Sequence, residues 1–215
     1  MNAPVPLYVS VPVTSLRVPQ SREYLESFPC PAPSTVYGML LSTVGENDRL
    51  AYEGAELAVA VLDPMPVKSL VLRTLWHIKN KKVPPGLLEN RRPDFQELLT
   101  GLKLAVWVRK GSGEMAEPSL EQRLHGVIRQ PASANRFGGL ALGESTHLVD
   151  ELRPWRNEDG TVGHILIGSP AGDLTLPIWP DHVGSRYTRW GQYSLERHTV
   201  IEPPPPEAWV DISRS

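Results

Sequence analysis

The residues with the clearest chemical potential form a basic stretch near the middle of the chain, residues 68–110. The stretch has ten lysines and arginines but only three acidic residues, a net charge of +7, whereas the rest of the chain carries −9. Trp76 and His77 lie inside it. Lysine and arginine neutralise phosphates, and aromatic rings stack on unpaired bases. The stretch therefore suggests a contact with nucleic acid, and a solvated charged face is the competing interpretation.

Other catalytic or ligand-binding chemistry has little support. The six histidines are never four residues apart, and the chain has neither a C-x-x-C pair nor an H-E-x-x-H motif, so no metal site is predicted. Cys30 lies between two prolines with no histidine nearby, and no G-x-S-x-G elbow is present. The glycine-rich residues 138–147 lack the G-K-[ST] of a phosphate-binding loop. We therefore expect no cofactor.

The glycine-rich stretch itself has two interpretations. It forms either a tight turn between core elements or a loop over which a polymer backbone can pass closely, because glycine has no Cβ. The spacing of its residues favours the tight turn.

The composition is that of a globular protein with an excess of proline. Of 215 residues, 40% are hydrophobic and 21% charged, which is enough to form a core, and the 22 prolines indicate many extended connections. One cysteine cannot form an internal disulfide, which favours a reducing cytoplasm. No apolar run is long enough to span a membrane, and the first residues do not resemble a signal peptide. The total charge of −2 would argue against nucleic acid only if the charges were evenly spread.

Apolar periodicity predicts the strands. Alternating or continuous apolar runs indicate strands over residues 7–14, 57–62, 70–78, 102–108, 161–167 and 174–179. Pro12 lacks an N–H group, which suggests that the first strand lies at an edge or contains a bulge.

Two helices and a tail complete the set of predicted elements. A helix is predicted over residues 35–44, with the hydroxyl of Ser34 or Thr35 as its cap and Gly45 as its stop. A shorter helix is predicted over residues 118–125, ending at Gly126. Residues 203–206 are all proline and predict an exposed tail.

The order of these elements predicts an α+β protein. It suits a ferredoxin-like domain of the type shared with RNA-recognition domains, interrupted by an inserted β-hairpin over about residues 73–101. We expect this domain to span residues 1–152. A β-rich extension, residues 153–215, would pack on it and end in the proline-rich tail.

Four stretches of the sequence together resemble a known family. They are RVP at residues 17–19, FPCPAPSTVYGML at 28–40, NRRPDFQELL at 90–99 and the glycine-rich residues 138–147. The chain resembles the Cas-five family, CRISPR-associated proteins of the RAMP superfamily that are subunits of type I Cascade complexes. The proline cluster followed by STVYG is the most specific part of the resemblance, which covers residues 7–150.

The resemblance implies a ferredoxin-like (RAMP-type) domain with a β-hairpin thumb at the insertion. It implies a non-catalytic, cytoplasmic subunit without a cofactor that holds the 5′ handle of the CRISPR RNA (crRNA). Its implied protein partners are Cas-seven backbone subunits, whose filament it caps, and a Cas-eight-type large subunit. Target DNA would be an indirect partner near the PAM end, and no membrane is involved.

The candidate RNA-binding residues come from the basic stretch and the family motifs. They are Arg17, Ser34, Tyr37, Arg73, Trp76, His77, Lys79, Lys81, Lys82, Arg91, Arg92, Arg136, Gly143 and Ser145.

One branch of the family implies an alternative function. In I-C systems the corresponding protein is a metal-independent endoribonuclease that cuts the precursor RNA with Tyr, Lys and His. The chain contains Tyr37, His77 and Lys79, but the adjacent Lys-His pair of that branch is missing. A generic RNA-recognition-like module that binds another RNA is a third interpretation.

Overall fold

The described residues form one large, mostly antiparallel sheet with two helices on it. A computed structural model describes residues 5–21, 24–76, 80–84, 87, 90–183 and 186–214. The strands in this part of the chain are β1 (Leu7–Thr14), β2 (Tyr24–Leu25), β3 (Glu56–Leu62), β4 (Val67–Trp76), β5 (Arg91–Arg109), β6 (Glu151–Pro154), β7 (Val162–Gly168), β8 (Leu174–Trp179), β9 (Arg189–Thr199) and β10 (Val210–Asp211). The helices are α1 (Pro33–Val44) and α2 (Leu120–Arg129). This combination of a large sheet and two helices confirms the α+β class.

The main path of the sheet runs β6-β1-β5-β3-β7-β9-β8, and all these neighbours are antiparallel. One face packs against both helices and forms the larger core, which includes Val9, Val36 and Leu124. The opposite face forms a smaller core that includes Ala58 and Trp107. Neither helix has the length and hydrophobicity needed to cross a membrane.

Strand β1 shows how local pattern and pairing agree. Val9 and Val11 are buried, as their alternation predicts, but Val13 is exposed, and Tyr8 on the opposite face is buried in the smaller core. The strand pairs with β5 along its length, but its pairing with β6 covers only the stretch from Leu7 to Ser10. Pro12 lies beyond that stretch, so its missing N–H group removes no bond to β6.

Helix α1 differs from its prediction at the first turn. It begins at Pro33, and its N-cap is Ala32, which makes no side-chain cap bond. The predicted hydroxyl cap is therefore wrong. The Ser34 hydroxyl instead donates to the carbonyl of Pro177 in β8, at 2.8 Å. At the other end, Gly45 is in the left-handed region with φ +72°, which confirms the predicted stop.

Strand β5 is much longer than the predicted strand over 102–108. It has 19 residues, and its first half pairs with the ten-residue β4 from Trp76↔Arg91 to Val67↔Thr100. Its second half pairs with β3. Gly101, with φ +74°, lies between the part of β5 that pairs with β4 and the part that pairs with β3. We call the paired part of β4 and β5 the β4–β5 arm; it overlaps the predicted insertion of about residues 73–101 but begins earlier, at Val67.

Two predicted ends of elements are wrong. Helix α2 continues through Gly126 to Arg129, and its start is fixed by a capping box between Ser119 and Gln122. The proline-rich residues 203–206 do not form an exposed tail, because Pro204 is buried and the chain continues into β10, which pairs with β3. The last described strands thus belong to the same sheet as β1.

Candidate nucleic-acid interface

Three family-like motifs, two of them close in sequence (17–19 and 28–40) and the third distant (138–147), meet at one cleft of ≈ 220 Å³. We call it the motif cleft. One wall is the segment that follows β1, the second is the first turn of α1, and the third is the glycine-rich loop. The lining residues are Ser15, Leu16, Arg17, Pro19, Phe28, Ala32, Thr35, Gly143, Glu144 and Pro177.

The glycine-rich loop is fastened to the end of β1. The Thr14 hydroxyl donates to the Leu142 carbonyl at 2.6 Å, and the Ser15 N–H donates to Nδ1 of His147 at 3.1 Å. Gly143 has φ +97°, and a Cβ on it would lie 2.5 Å from the Thr14 hydroxyl oxygen and 2.6 Å from the Ser15 carbonyl oxygen. Gly143 therefore permits a close approach within the chain itself, which favours the tight-turn interpretation.

Arg73 joins the β4–β5 arm to this loop. Its guanidinium forms an ion pair with Glu144 at 2.9 Å and a hydrogen bond with Gln96, and the Gln96 amide donates to the other Glu144 oxygen at 2.7 Å. Burial raises the pKa of the Glu144 carboxyl, but the hydrogen bonds from Arg73 and Gln96 outweigh it and lower the pKa overall. Arg73 was predicted to contact phosphate, but its charge is already paired.

Three of the predicted cations, Arg17, Lys81 and Lys82, are exposed at the cleft or at the tip of the arm. Arg17 is exposed, and its guanidinium donates to the Ser21 carbonyl at 3.2 Å. Lys81 and Lys82 are exposed in the turn at the tip. The side-chain amide of Asn90 donates to the Val83 carbonyl at 3.0 Å and so holds this turn.

The other predicted residues divide into three groups. Arg136 and Ser145 are exposed on the segment between α2 and β6. Trp76, Arg91 and Arg92 lie in the strands at the far end of the arm, where the backbones of Trp76 and Arg91 pair. His77 and Lys79 lie outside the described residues.

Tyr37 is not on the surface that the prediction requires. It is 4% exposed, and its hydroxyl donates to the Arg49 carbonyl at 2.8 Å. Burial raises the pKa of its phenol. Tyr37 therefore supports the packing of α1, and its hydroxyl is committed to the backbone.

A curated relative decides the family. The chain is 42% identical over 193 residues to the CRISPR-associated protein Cas5 of Myxococcus xanthus (strain DK1622), covering 89% of this chain and 90% of that protein. The chain belongs to the Cas5 family. The resemblance to the Cas-five family is thereby confirmed. No family model matches the chain.

One solved structure supports the fold of this Cas5 chain. A chain of a "CRISPR RNA-guided surveillance complex" superposes with a TM-score of 0.59 at 13% identity, covering 90% of this chain and 89% of that one. A second structure, "Crystal structure of Cas protein", has a TM-score of 0.49 at 14% identity, covering 94% and 98%.

Several residues at or beside the motif cleft were not predicted from the sequence: Glu144 and Pro177 line it, and His147 accepts a hydrogen bond from Ser15 in its wall. Glu144 and His147 lie inside the glycine-rich loop, so their position beside Gly143 was a usable signal. Pro177 carries no such signal, because it reaches the cleft only through the pairing of β8 in the sheet. Metal chemistry has no candidate here, since the described residues contain no group of three or more metal-ligating side chains.

His147 predicts a pH dependence of stability. Burial lowers its pKa, and the charge of Arg73 lowers it further while Glu144 opposes both. The folded protein therefore binds this proton less readily than the unfolded chain, and stability should fall as pH drops through about 6.5, the ordinary histidine value. Protonation of Nδ1 would also remove the acceptor for the Ser15 N–H. Urea unfolding from pH 8 to 5.5 measures the effect.

The matched variant is His147→Gln, which cannot titrate. We expect the difference in unfolding free energy between the parent and this variant to shrink as pH falls from 7.5 to 5.5. If the unfolding free energies of the parent and the variant change in parallel with pH over this range, the proton on His147 is not linked to folding.

Proposed function

We propose that this Cas5 chain is a non-catalytic RNA-binding subunit of a CRISPR Cascade surveillance complex, and that the motif cleft holds the 5′ handle of the crRNA. The single observation that carries the proposal is the convergence of the family-like motifs on one cleft. Arg17 and Thr35 come from neighbouring stretches of the sequence, whereas Gly143 is far from both, yet all three line the same surface. A shared ligand at that surface accounts for the resemblance of all three motifs to one family.

The fold supports a ferredoxin-like assignment for the part that forms the cleft. The strands read β6-β1-β5-β3 across the sheet, α1 connects β1 to β3, and α2 connects β5 to β6. This is a β-α-β-β-α-β unit. The β4–β5 arm extends from the β3–β5 connection, which is where the family places its thumb, and we propose that it is the thumb.

The chemistry of the cleft suits a phosphate backbone. Helix α1 begins at the cleft through Ala32 and Thr35, and no side chain caps it, so the positive end of its dipole faces the cleft. The Thr35 and Val36 N–H groups already donate to the Ala32 carbonyl, so attraction for an anion would come from the dipole. Arg17 adds an exposed cation at the same surface. Contacts of this kind position an RNA without reading its bases, so affinity should fall steeply with salt.

Other parts of the chain would contact protein. We propose that it caps the Cas-seven backbone filament, docks the Cas-eight-type large subunit and lies near the PAM end of target DNA in the cytoplasm. The remainder outside residues 68–110 carries a net charge of −9, which favours protein over RNA as the partner of its surface away from the motif cleft.

The RNA that copurifies with the chain tests the proposed function. We expect an affinity-tagged chain, expressed with its complex and a CRISPR array, to retain short RNAs with one uniform 5′ sequence. RNAs with mixed 5′ ends would identify a generic RNA binder, and an RNA-free complex would overturn the proposal.

The same preparation tests the alternative of metal-independent cleavage. The purified chain is incubated with a labelled repeat RNA in EDTA, and the proposal expects no cut. A single specific cut that disappears in His77→Ala would instead establish the endoribonuclease. Burial of the Tyr37 phenol weighs against that outcome, because a group that moves protons must reach its substrate.

A further inference from the structure

Strand β4 has a free edge. Over its ten residues it pairs with β5 on one side, and within the described part of the chain no strand pairs with its other side. Such an edge presents a row of N–H and C=O groups that are ready to pair with another strand. Natural proteins usually protect a long edge with prolines, bulges or unpaired charges.

The side chains beside this edge are apolar and exposed. Leu70 and Leu72 share one face of β4 and are 50% and 64% exposed. Across the arm, Leu72 pairs with Phe95, and Phe95 pairs with Tyr24 of β2; these rings are 49% and 42% exposed. The row Leu72–Phe95–Tyr24 therefore crosses three strands as a continuous apolar surface, a feature that marks interaction sites.

The charges around this surface are already neutralised, which decides the chemistry of its occupant. Lys68 pairs with Glu97 at 3.3 Å, and Arg73 pairs with Glu144 at 2.9 Å. These are the two cations of β4, so the strand offers no unpaired charge to a phosphate backbone. An RNA would lose solvation there without an ionic contact. A neutral, apolar protein segment would gain both buried area and backbone hydrogen bonds.

We propose that a neighbouring protein subunit adds an extended strand to the outer edge of β4. Alternate residues of that strand would be apolar and would cover Leu70, Leu72 and Phe95. This mode of recognition takes affinity from main-chain hydrogen bonds and specificity from alternate side chains. The inference rests on the proposed function in one respect, namely that the chain is a subunit of a multi-protein complex.

Amide hydrogen exchange on the free chain and on the complex purified through a tag on it tests the inference. In the free chain, the β4 amides that point away from β5 should exchange rapidly. In the complex, the same amides should slow by at least about tenfold, because strand addition gives each a partner. Unchanged exchange at these amides in an assembled complex would overturn strand addition.

Substitution at the exposed row gives an independent readout. Leu72→Glu should reduce the yield of copurified protein subunits at least about tenfold while the free chain keeps its melting temperature, since an exposed position contributes little to folding. The matched control is Ile201→Glu, because Ile201 is 68% exposed and lies outside the arm. Equal yields from the two variants would contradict the docking surface.

Three outcomes relate this inference to the function on which it rests. If the free chain dimerises and its β4 amides are protected in the dimer, a second copy is the occupant and the inference is wrong. If no subunit copurifies with the unmodified chain, both the inference and the proposed function fail. A complex that retains crRNA but leaves β4 unprotected overturns the inference alone.

Discussion

Replacing Gly143 with alanine is expected to cost about 2–3 kcal/mol of unfolding free energy, because strain and a steric clash add at this position. The residue has φ +97°, which disfavours any side chain. The new Cβ would lie 2.5 Å from the Thr14 hydroxyl oxygen and 2.6 Å from the Ser15 carbonyl oxygen. One neighbour is backbone, so the loop itself must move. Urea unfolding monitored by tryptophan fluorescence measures the loss.

Gly138→Ala is the matched control in the same loop. Gly138 also has a positive φ, +76°, but a Cβ on it meets nothing within 4 Å. The substitution Gly138→Ala should therefore lower the free energy of unfolding only by the conformational strain, about 1 kcal/mol. We also expect Gly143→Ala, but not Gly138→Ala, to weaken RNA retention by displacing a wall of the motif cleft. Equal losses of stability in the two variants would show that contact with Thr14 and Ser15 does not determine the need for glycine.

The sequence predicted those parts of the fold that depend on local pattern. Alternation identified β1, and continuous apolar residues identified β3, because burial on a sheet face imposes these periods directly. The stop of α1 at Gly45 was also local, since it follows from backbone conformation. The start of α1 could not be predicted locally. The Ser34 hydroxyl donates to the Pro177 carbonyl, 143 residues away, instead of capping the helix.

In the candidate site, too, the features set by local sequence were predicted, and those set by distant contacts were not. The family-like motifs identified Arg17 and Gly143, both of which line the cleft. Nothing in the sequence showed that Arg73 would pair with Glu144 or that Tyr37 would be buried, because each outcome depends on contacts made after distant segments pack. Charge runs predict where cations are, but only the packed structure shows which of them remain unpaired.

Charge reversal at the tip of the β4–β5 arm, Lys81→Glu with Lys82→Glu, is expected to lower the affinity of the chain for crRNA about 100-fold at physiological salt, since two phosphate contacts become repulsions. Both side chains are exposed, so the melting temperature should not change. If both lysines contact phosphates, the slope of log affinity against log salt should fall by roughly 1.4, at about 0.7 for each contact with a single strand. Fluorescence anisotropy with a labelled 5′-handle RNA over a salt series measures both quantities.

A double variant elsewhere separates the arm tip from net charge. Lys103→Glu with Arg197→Glu makes the same change in total charge at two exposed positions outside the arm and the motif cleft. Lys103 alternates with the buried Leu102 and Leu104, so it lies on the face of the sheet opposite α1 and the larger core. This control should weaken binding only slightly and leave the salt slope unchanged, because a distant charge acts through a screened field rather than a direct contact. If both double variants weaken binding equally, the lysines at the tip act through net charge alone, and the arm does not contact the RNA.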